Sequence, residues 1–137
     1  MANALKGDRY KAAFERINSA INDGHPFEAV TLCESIISDR LLSNVKGRRV
    51  YTGGRLNDLV GRANLPDKLR ADLGKWRKQR NIVIHEFVKT EPGESPNKSV
   101  EEALKDVERA AREGKKLARE VCKWHRDELN KAKRERR

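Results

Sequence analysis

Apolar residues recur at intervals of three and four positions through most of this chain, a spacing typical of the buried stripe of an α-helix. β-branched runs are short, and no segment has the alternation of a convincing strand. The chain has 137 residues, which suffices for one domain with one modest core. We therefore expect an all-α protein with the architecture of an up-and-down helical bundle.

Four interruptions separate five apolar stripes, which predict four long helices and one short helix. They are a turn at Asp23 and Gly24 before Pro26, a basic, glycine-rich loop at residues 46–54, the segment 64–66, and a linker at residues 90–97, after which Ser99 is the expected N-cap of the last helix. In chain order the stripes begin at Tyr10, Phe27, Leu56, Leu69 and Val100. The last stripe ends at Trp124, and from Lys131 the sequence has no apolar residue to bury except alanine. We accordingly divide the chain into a helical domain, residues 1–130, and a basic C-terminal extension, residues 131–137, that frays.

Cysteine and histidine positions bear on metal and redox chemistry. Cys33 and Cys122 fall within helical stripes, so we expect two reduced, core-type cysteines. His25, His85 and His125 lie far apart and lack companions at metal-ligand spacing, so we predict no metal site and no cofactor. We expect His25 in a surface turn and His125 in solvent.

No apolar run approaches the ~20 residues needed to cross a bilayer, and residues 1–8 have no hydrophobic signal core. We therefore expect a cytoplasmic protein with no membrane partner. Hydrophobic residues make up only 36% of the chain against 38% charged residues, so its core is small. Dimerisation would add buried apolar area and stabilise it.

Basic residues dominate the charge and are concentrated in two zones. The chain has 31 basic and 21 acidic residues, a net charge of +10, which favours a polyanionic partner such as RNA. Residues 46–80 carry 11 basic and 3 acidic groups, and residues 115–137 carry 10 and 4. Candidate RNA-binding residues in the first zone are Lys46, Arg48, Arg49, Arg77 and Lys78. The alternative is an ordinary solvated basic face.

One arginine interrupts the apolar stripe of the fourth predicted helix. Arg80 is followed directly by Asn81 and, five positions on, by His85. Arginine stays charged and can form two parallel hydrogen bonds to a phosphate. Histidine, with an unperturbed pKa of ~6.5, can accept and return a proton near neutrality. These residue types suit cleavage of a phosphodiester, although a solvated arginine and histidine on one helix is the common alternative.

The spacing Arg-Asn-x-x-x-His resembles the active-site motif of HEPN domains, which are small all-α proteins. The resemblance is specific across residues 76–87 and looser in the helix that contains Glu34. It implies a metal-independent endoribonuclease, acting in toxin–antitoxin or phage-defence systems, whose site forms between two copies of the domain. It also implies that Arg80 and His85 are the catalytic pair, with Asn81 beside them. Glu34 would join that cleft or instead form a salt bridge.

Helical geometry limits how this motif can work. On a continuous helix Arg80 and His85 lie about 140° apart, so one phosphate cannot easily contact both. Either the helix deforms between them, or the working site combines residues of two protomers. An arginine on an apolar stripe favours the second option, because such a surface suits an interface.

One position departs from a known branch of the family. HEPN toxins controlled by a nucleotidyltransferase antitoxin commonly carry a tyrosine two residues after the histidine, where Phe87 stands here. Phenylalanine has no hydroxyl, so control by adenylylation at that position is excluded. We therefore expect either a different branch of the family or control by a restraining protein, such as an antitoxin, that binds directly. The alternatives to a nuclease are a catalytically inactive RNA-binding or partner-docking dimer and a subunit of a larger assembly.

Overall fold

The computed structural model describes residues 2–47, 56–88 and 99–136, and these form a helical bundle. The helices are α1 (Ala2–Asn22), α2 (Pro26–Gly47), α3 (Leu56–Arg62), α4 (Asp67–Val88) and α5 (Val100–Glu135). The described ranges contain no strand, so the all-α prediction is confirmed, with four long helices and one short one. No helix in these ranges is both long enough and apolar enough to cross a membrane.

Local sequence accounts for where several helices begin and end. Gly24 has a φ of 82°, a left-handed conformation that glycine adopts without strain, and it lies in the turn between α1 and α2. His25 is exposed in that turn, as predicted, and its backbone N–H donates to the Ala20 carbonyl. Ser99 caps α5, because its hydroxyl accepts a hydrogen bond from the Glu102 N–H at 3.1 Å.

Helix α5 packs against α1, α2 and α4 and therefore lies at the centre of the bundle. It packs tightly against α4 at Gly114, where an added Cβ would lie 2.7 Å from Cζ2 of Trp76. The Trp76 indole donates to the Ala110 carbonyl at 2.8 Å, and that of Trp124 donates to the Asn64 carbonyl at 3.1 Å. Both tryptophans thus pack in the core, as their helical spacing predicts.

These contacts also establish the relative directions of the helices. From Asn64, just before α4, to Trp76 within it, the contacted residue on α5 moves backward from Trp124 to Ala110, so α4 and α5 are antiparallel. On α2, Cys33 contacts Ala111 of α5 and the later Ser43 contacts the later His125, so α2 and α5 run in the same direction. Helices α2 and α4 are therefore antiparallel to each other, which brings the middle of α2 beside the second half of α4.

Two boundary predictions need correction. The chain does not fray at Lys131, because α5 continues to Glu135. Residues 131–135 are lysine, alanine, arginine and glutamate, all strong helix formers, so the helix continues although its side chains there are exposed. The loop predicted from Lys46 also begins later, since α2 includes Lys46 and Gly47. The predicted linker at residues 90–97 lies outside the described residues.

The ends of two apolar stripes are less buried than their spacing suggests. Val100 was expected in the core, but 68% of it is exposed. Val83 and Phe87 of α4 are half-buried, and Ile82 and Val88 are exposed. After Trp76, α4 therefore contains no fully buried residue. The second half of this helix covers the core on one side and presents apolar side chains to solvent on the other.

Candidate active site

Arg80 lies on the inner side of α4, one turn after Trp76. Its side chain is only 13% exposed, and Nη1 forms an ion pair with Oε2 of Glu34 on α2. The guanidinium carbon is 5.7 Å from the centre of the Trp76 ring. A carboxylate and an aromatic face thus accommodate the charge, which explains how an arginine can occupy an apolar stripe.

Asn81 orients the same guanidinium from within α4. Its Oδ1 accepts hydrogen bonds from Arg80 Nε at 3.2 Å and from Nη2 at 2.8 Å. The plane of the guanidinium is therefore held by Asn81 on one edge and by Glu34 on Nη1. A guanidinium has five N–H groups, so these contacts leave donors with which to bind a phosphate.

His85 is not brought to this cluster. Its side chain is exposed and forms no hydrogen bond or ion pair with the described residues. Helix α4 is continuous from Asp67 to Val88, so the helix does not deform between Arg80 and His85. The two side chains remain about 140° apart around the helix axis. The structure therefore brings together Arg80, Asn81 and Glu34 and places His85 on the opposite, outer side of α4.

The candidate RNA-binding residues occupy different environments. Lys78 is exposed, whereas Arg77 is half-buried and its Nε has no hydrogen-bond acceptor among the described residues. Lys46 lies in the last turn of α2, but its side chain is outside the described part. Arg48 and Arg49 also lie outside it.

Phe87, two residues after His85, has a packing role. Its ring lies 4.9 Å from that of Phe27, centre to centre, with an edge-to-face angle of 72°. This contact joins the end of α4 to the start of α2. Together with the ion pair between Arg80 and Glu34, it holds the motif-bearing half of α4 against α2.

A second polar cluster joins α1, α2 and α5, and sequence reasoning missed it. The Tyr10 hydroxyl donates to Oδ2 of Asp39, which also accepts from Arg40 Nη2 at 3.0 Å. The Arg40 guanidinium lies 4.6 Å from the centre of the Tyr10 ring. Burial, followed by the hydrogen bond to Asp39, raises the pKa of Tyr10 well above its usual value.

His125 belongs to this second cluster, so the prediction that it is solvated was wrong. It is only 5% exposed, with Nδ1 3.2 Å from Arg40 Nη1 and Nε2 3.2 Å from Ser43 Oγ. Arginine can only donate, so Nδ1 is the acceptor in that contact. A sequence signal was available on α5 itself, where His125 follows the buried Val121 by four positions and therefore lies on the same face of the helix.

The two cysteines are free thiols. Cys33 is buried, and its thiol lies 3.8 Å from the Ala111 carbonyl, which accepts its weak hydrogen bond. Burial raises the pKa of Cys33 to about 12. Cys122 is half-buried, and burial also raises its pKa. A raised pKa suppresses the thiolate, so neither cysteine has the character of a nucleophile.

Comparison with known proteins adds no relative, since no family model, curated protein or solved structure matches the chain.

Proposed function

We propose that this protein is a metal-independent endoribonuclease of the HEPN type, and that Arg80 and His85 carry its chemistry. The observation that supports this most is the environment of Arg80. A largely buried guanidinium is oriented by Glu34 and Asn81, and an exposed histidine follows it on the same helix. A phosphate-binding arginine stabilises developing charge best when its guanidinium is already oriented before the substrate binds. The side chain then does not have to reorganise during the reaction.

The proposed reaction uses the 2′-hydroxyl of RNA as the nucleophile. His85 accepts the proton of this hydroxyl as its oxygen attacks the adjacent phosphorus. The imidazolium that forms returns a proton to the 5′-oxygen as the bond between phosphorus and that oxygen breaks. Arg80 binds the non-bridging phosphate oxygens and stabilises the charge that develops on them. The products are a 2′,3′-cyclic phosphate and a 5′-hydroxyl. DNA lacks the attacking group, so the mechanism predicts selectivity for RNA.

A working site in this proposal needs two copies of the chain. His85 faces away from its own Arg80, so the Arg80 that acts with it belongs to a second copy of the chain. That copy must present the 13% of its Arg80 side chain that is exposed toward the outer side of α4. Exposed apolar side chains near His85 support such a contact. Ile82, three residues before it, is 56% exposed, and Val88, three residues after it, is 75% exposed. Burying them in a dimer would be favourable.

The proposed biological role is that of a toxin or phage-defence effector in the cytoplasm. An unrestrained ribonuclease would damage its own cell, so a restraining protein is part of the proposal. Phe87 packs on Phe27 and offers no hydroxyl for adenylylation. Restraint therefore acts by direct protein binding rather than by modification of that position.

The test is cleavage of a labelled RNA in the presence of EDTA by the wild type, His85→Ala and His25→Ala. His25 is exposed in the turn before α2 and serves as the matched control. We expect cleavage by the wild type and by His25→Ala, with a loss of at least ~100-fold in His85→Ala. Undiminished cleavage by His85→Ala, or none by pure wild type, would contradict the proposal.

A second candidate function is an inactive HEPN-type dimer that binds RNA or docks to a partner protein. The observation that favours it is the ion pair with Glu34, which withdraws Arg80 from solvent and gives it a role in joining α4 to α2. This candidate predicts that Arg80→Ala lowers stability and leaves salt-sensitive RNA binding unchanged. The nuclease proposal predicts in addition that Arg80→Ala abolishes cleavage in preparations that remain folded.

A further inference from the structure

The outer face of α5 carries a straight row of basic side chains, here called the α5 basic stripe. Successive members are separated by four, three, four, three and four positions. At 100° per residue, all of them lie within about 40° of a common line along the helix. The row spans five helical turns, about 27 Å. Its members are Lys105, Arg109, Arg112, Lys116, Arg119 and Lys123.

The packing of α5 places this row opposite the core. Gly114, Leu117 and Val121 are buried against the other helices, and they lie on the side of α5 away from the stripe. All six members of the stripe are exposed. Gly114 of α5 packs directly against the Trp76 ring of α4. This contact restricts rotation of α5 about its own axis, so the stripe continues to face outward.

Intramolecular contacts engage the arginines of the stripe but not its lysines. Arg109 lies 3.4 Å from Asp106, Arg112 lies 2.9 Å from Glu108, and Arg119 is over the ring of Phe14 at 5.6 Å. The three lysines form no ion pair with the described residues. Exposed ion pairs are weak, so those of Arg109 and Arg112 can exchange for a stronger anionic ligand.

We propose that the α5 basic stripe binds the sugar-phosphate backbone of single-stranded RNA. The stripe presents about one cation per helical turn, ~5.4 Å, and RNA carries one negative charge on every nucleotide. Neutralising these phosphates would release the counterions condensed on the RNA, which favours binding. A lipid surface fits less well, because membrane-binding helices place apolar residues beside the basic ones, whereas the apolar residues of α5 between Lys105 and Lys123 are buried or half-buried in the bundle. The choice of RNA rests on the proposed function.

The α5 basic stripe is a different surface from the one formed by the RNA-binding candidates that the sequence suggested. The earlier candidates lie at residues 46–80, whereas the stripe belongs to α5. Contacts to phosphate position a strand without reading its sequence, so the stripe predicts affinity and salt sensitivity rather than cleavage-site preference. The stripe would retain an RNA strand on the protein while the separate site at Arg80 and His85 acts on it.

The experiment measures binding of a labelled 30-nucleotide RNA by fluorescence anisotropy over a series of salt concentrations. The parent protein is His85→Ala, which prevents cleavage during the measurement. The stripe variant adds Lys105→Gln, Lys116→Gln and Lys123→Gln, which remove charge while keeping helix propensity. We expect affinity to fall at least ~10-fold at 100 mM salt and the logarithmic salt slope to shrink by about 2.

A charge-matched control removes three exposed basic groups elsewhere. The control substitutions are Arg9→Gln and Lys11→Gln on α1 and Lys75→Gln on α4, all outside the stripe. None of the three native side chains forms an ion pair with the described residues. We expect this control to bind RNA within about twofold of the parent, since net charge acts weakly at a distance in salt. Equal circular dichroism and equal thermal midpoints establish that all variants are folded.

Three results would overturn the inference. The first is that the stripe variant binds RNA with the parent's affinity and salt slope. The second is that the control loses as much affinity as the stripe variant. The third is that the stripe is needed for binding to vesicles containing phosphatidylserine, or to poly-glutamate, but not for binding to RNA. Stripe-dependent RNA binding without any cleavage by the wild type would refute the proposed function alone. Cleavage with stripe-independent binding would refute the inference alone.

Discussion

Arg80 and His85 lie on opposite sides of α4 although only five positions separate them. Arg80 faces Glu34 on the neighbouring helix α2, whereas His85 faces solvent. A site that uses both therefore needs side chains from two copies of the chain, and this geometry can be tested directly.

The first prediction is complementation between two inactive variants. Arg80→Ala and His85→Ala are each expected to lack RNA cleavage, and mixing them after co-refolding is expected to restore about a quarter of wild-type activity. Random pairing makes half of the dimers mixed, and one of the two composite sites in each is intact. Cleavage assays on the mixture check this, and a mixture as inactive as its components would contradict a shared site.

The second prediction concerns the ion pair that orients Arg80. Glu34→Gln removes the carboxylate and is expected to lower the free energy of unfolding by about 1 kcal/mol, because Arg80 is largely buried and Glu34 partly so. Urea denaturation measures this change. The matched control is Glu28→Gln, which breaks an exposed pair with Arg16 and is expected to leave the midpoint unchanged. Equal effects in the two variants would show that the ion pair of Arg80 has no special role.

The third prediction uses two helical glycines. Gly114→Ala places a methyl group 2.7 Å from Trp76, and the resulting strain is expected to exceed the gain in helix propensity. We expect a net loss of about 1–2 kcal/mol in the free energy of unfolding. Gly74→Ala meets nothing within 4 Å and is expected to gain about 0.5–1 kcal/mol. Thermal unfolding of both variants checks the opposite signs, and two stabilised variants would refute the close approach.

The fourth prediction compares a buried histidine with an exposed one. His125→Ala deprives Arg40 and Ser43 of their partner and leaves a cavity, so we expect a loss of about 2–4 kcal/mol. His25→Ala, in an exposed turn, is expected to change stability by no more than about 0.5 kcal/mol. Chemical denaturation distinguishes the two, and similar small losses would argue against the second polar cluster.

The fifth prediction concerns alkaline pH. Burial raises the pKa of Cys33 to about 12 in the folded protein, against an ordinary value of 9.0. The folded state therefore holds this proton more tightly, so stability is fully present below pH 9 and falls as pH rises from 9 toward 12. We expect the wild type to lose stability more steeply than Cys33→Ala between pH 9 and 10.5, by up to about 1.4 kcal/mol per pH unit. Parallel pH dependences in urea denaturation would contradict this.

The local features of the fold could be predicted from sequence because they depend on nearby residues. Apolar spacing located all five helices, Gly24 and Pro26 marked the turn between α1 and α2, and Ser99 marked the start of α5. The unusual position of Arg80 on an apolar stripe was visible for the same reason. The extension of α5 to Glu135 was missed because burial, rather than helix propensity, was taken as the limit of the helix.

Tertiary structure decided which residues meet across the sequence. Glu34 and Arg80 form their ion pair only because α2 and α4 are antiparallel, and the burial of His125 depends on polar partners supplied by α2. The outward direction of the α5 basic stripe likewise depends on how Gly114 packs against Trp76. By itself the sequence determined the helices and the motif that carries Arg80 and His85. Packing determined that these two side chains point apart, because a continuous helix fixes their angle and the bundle covers only one of its sides.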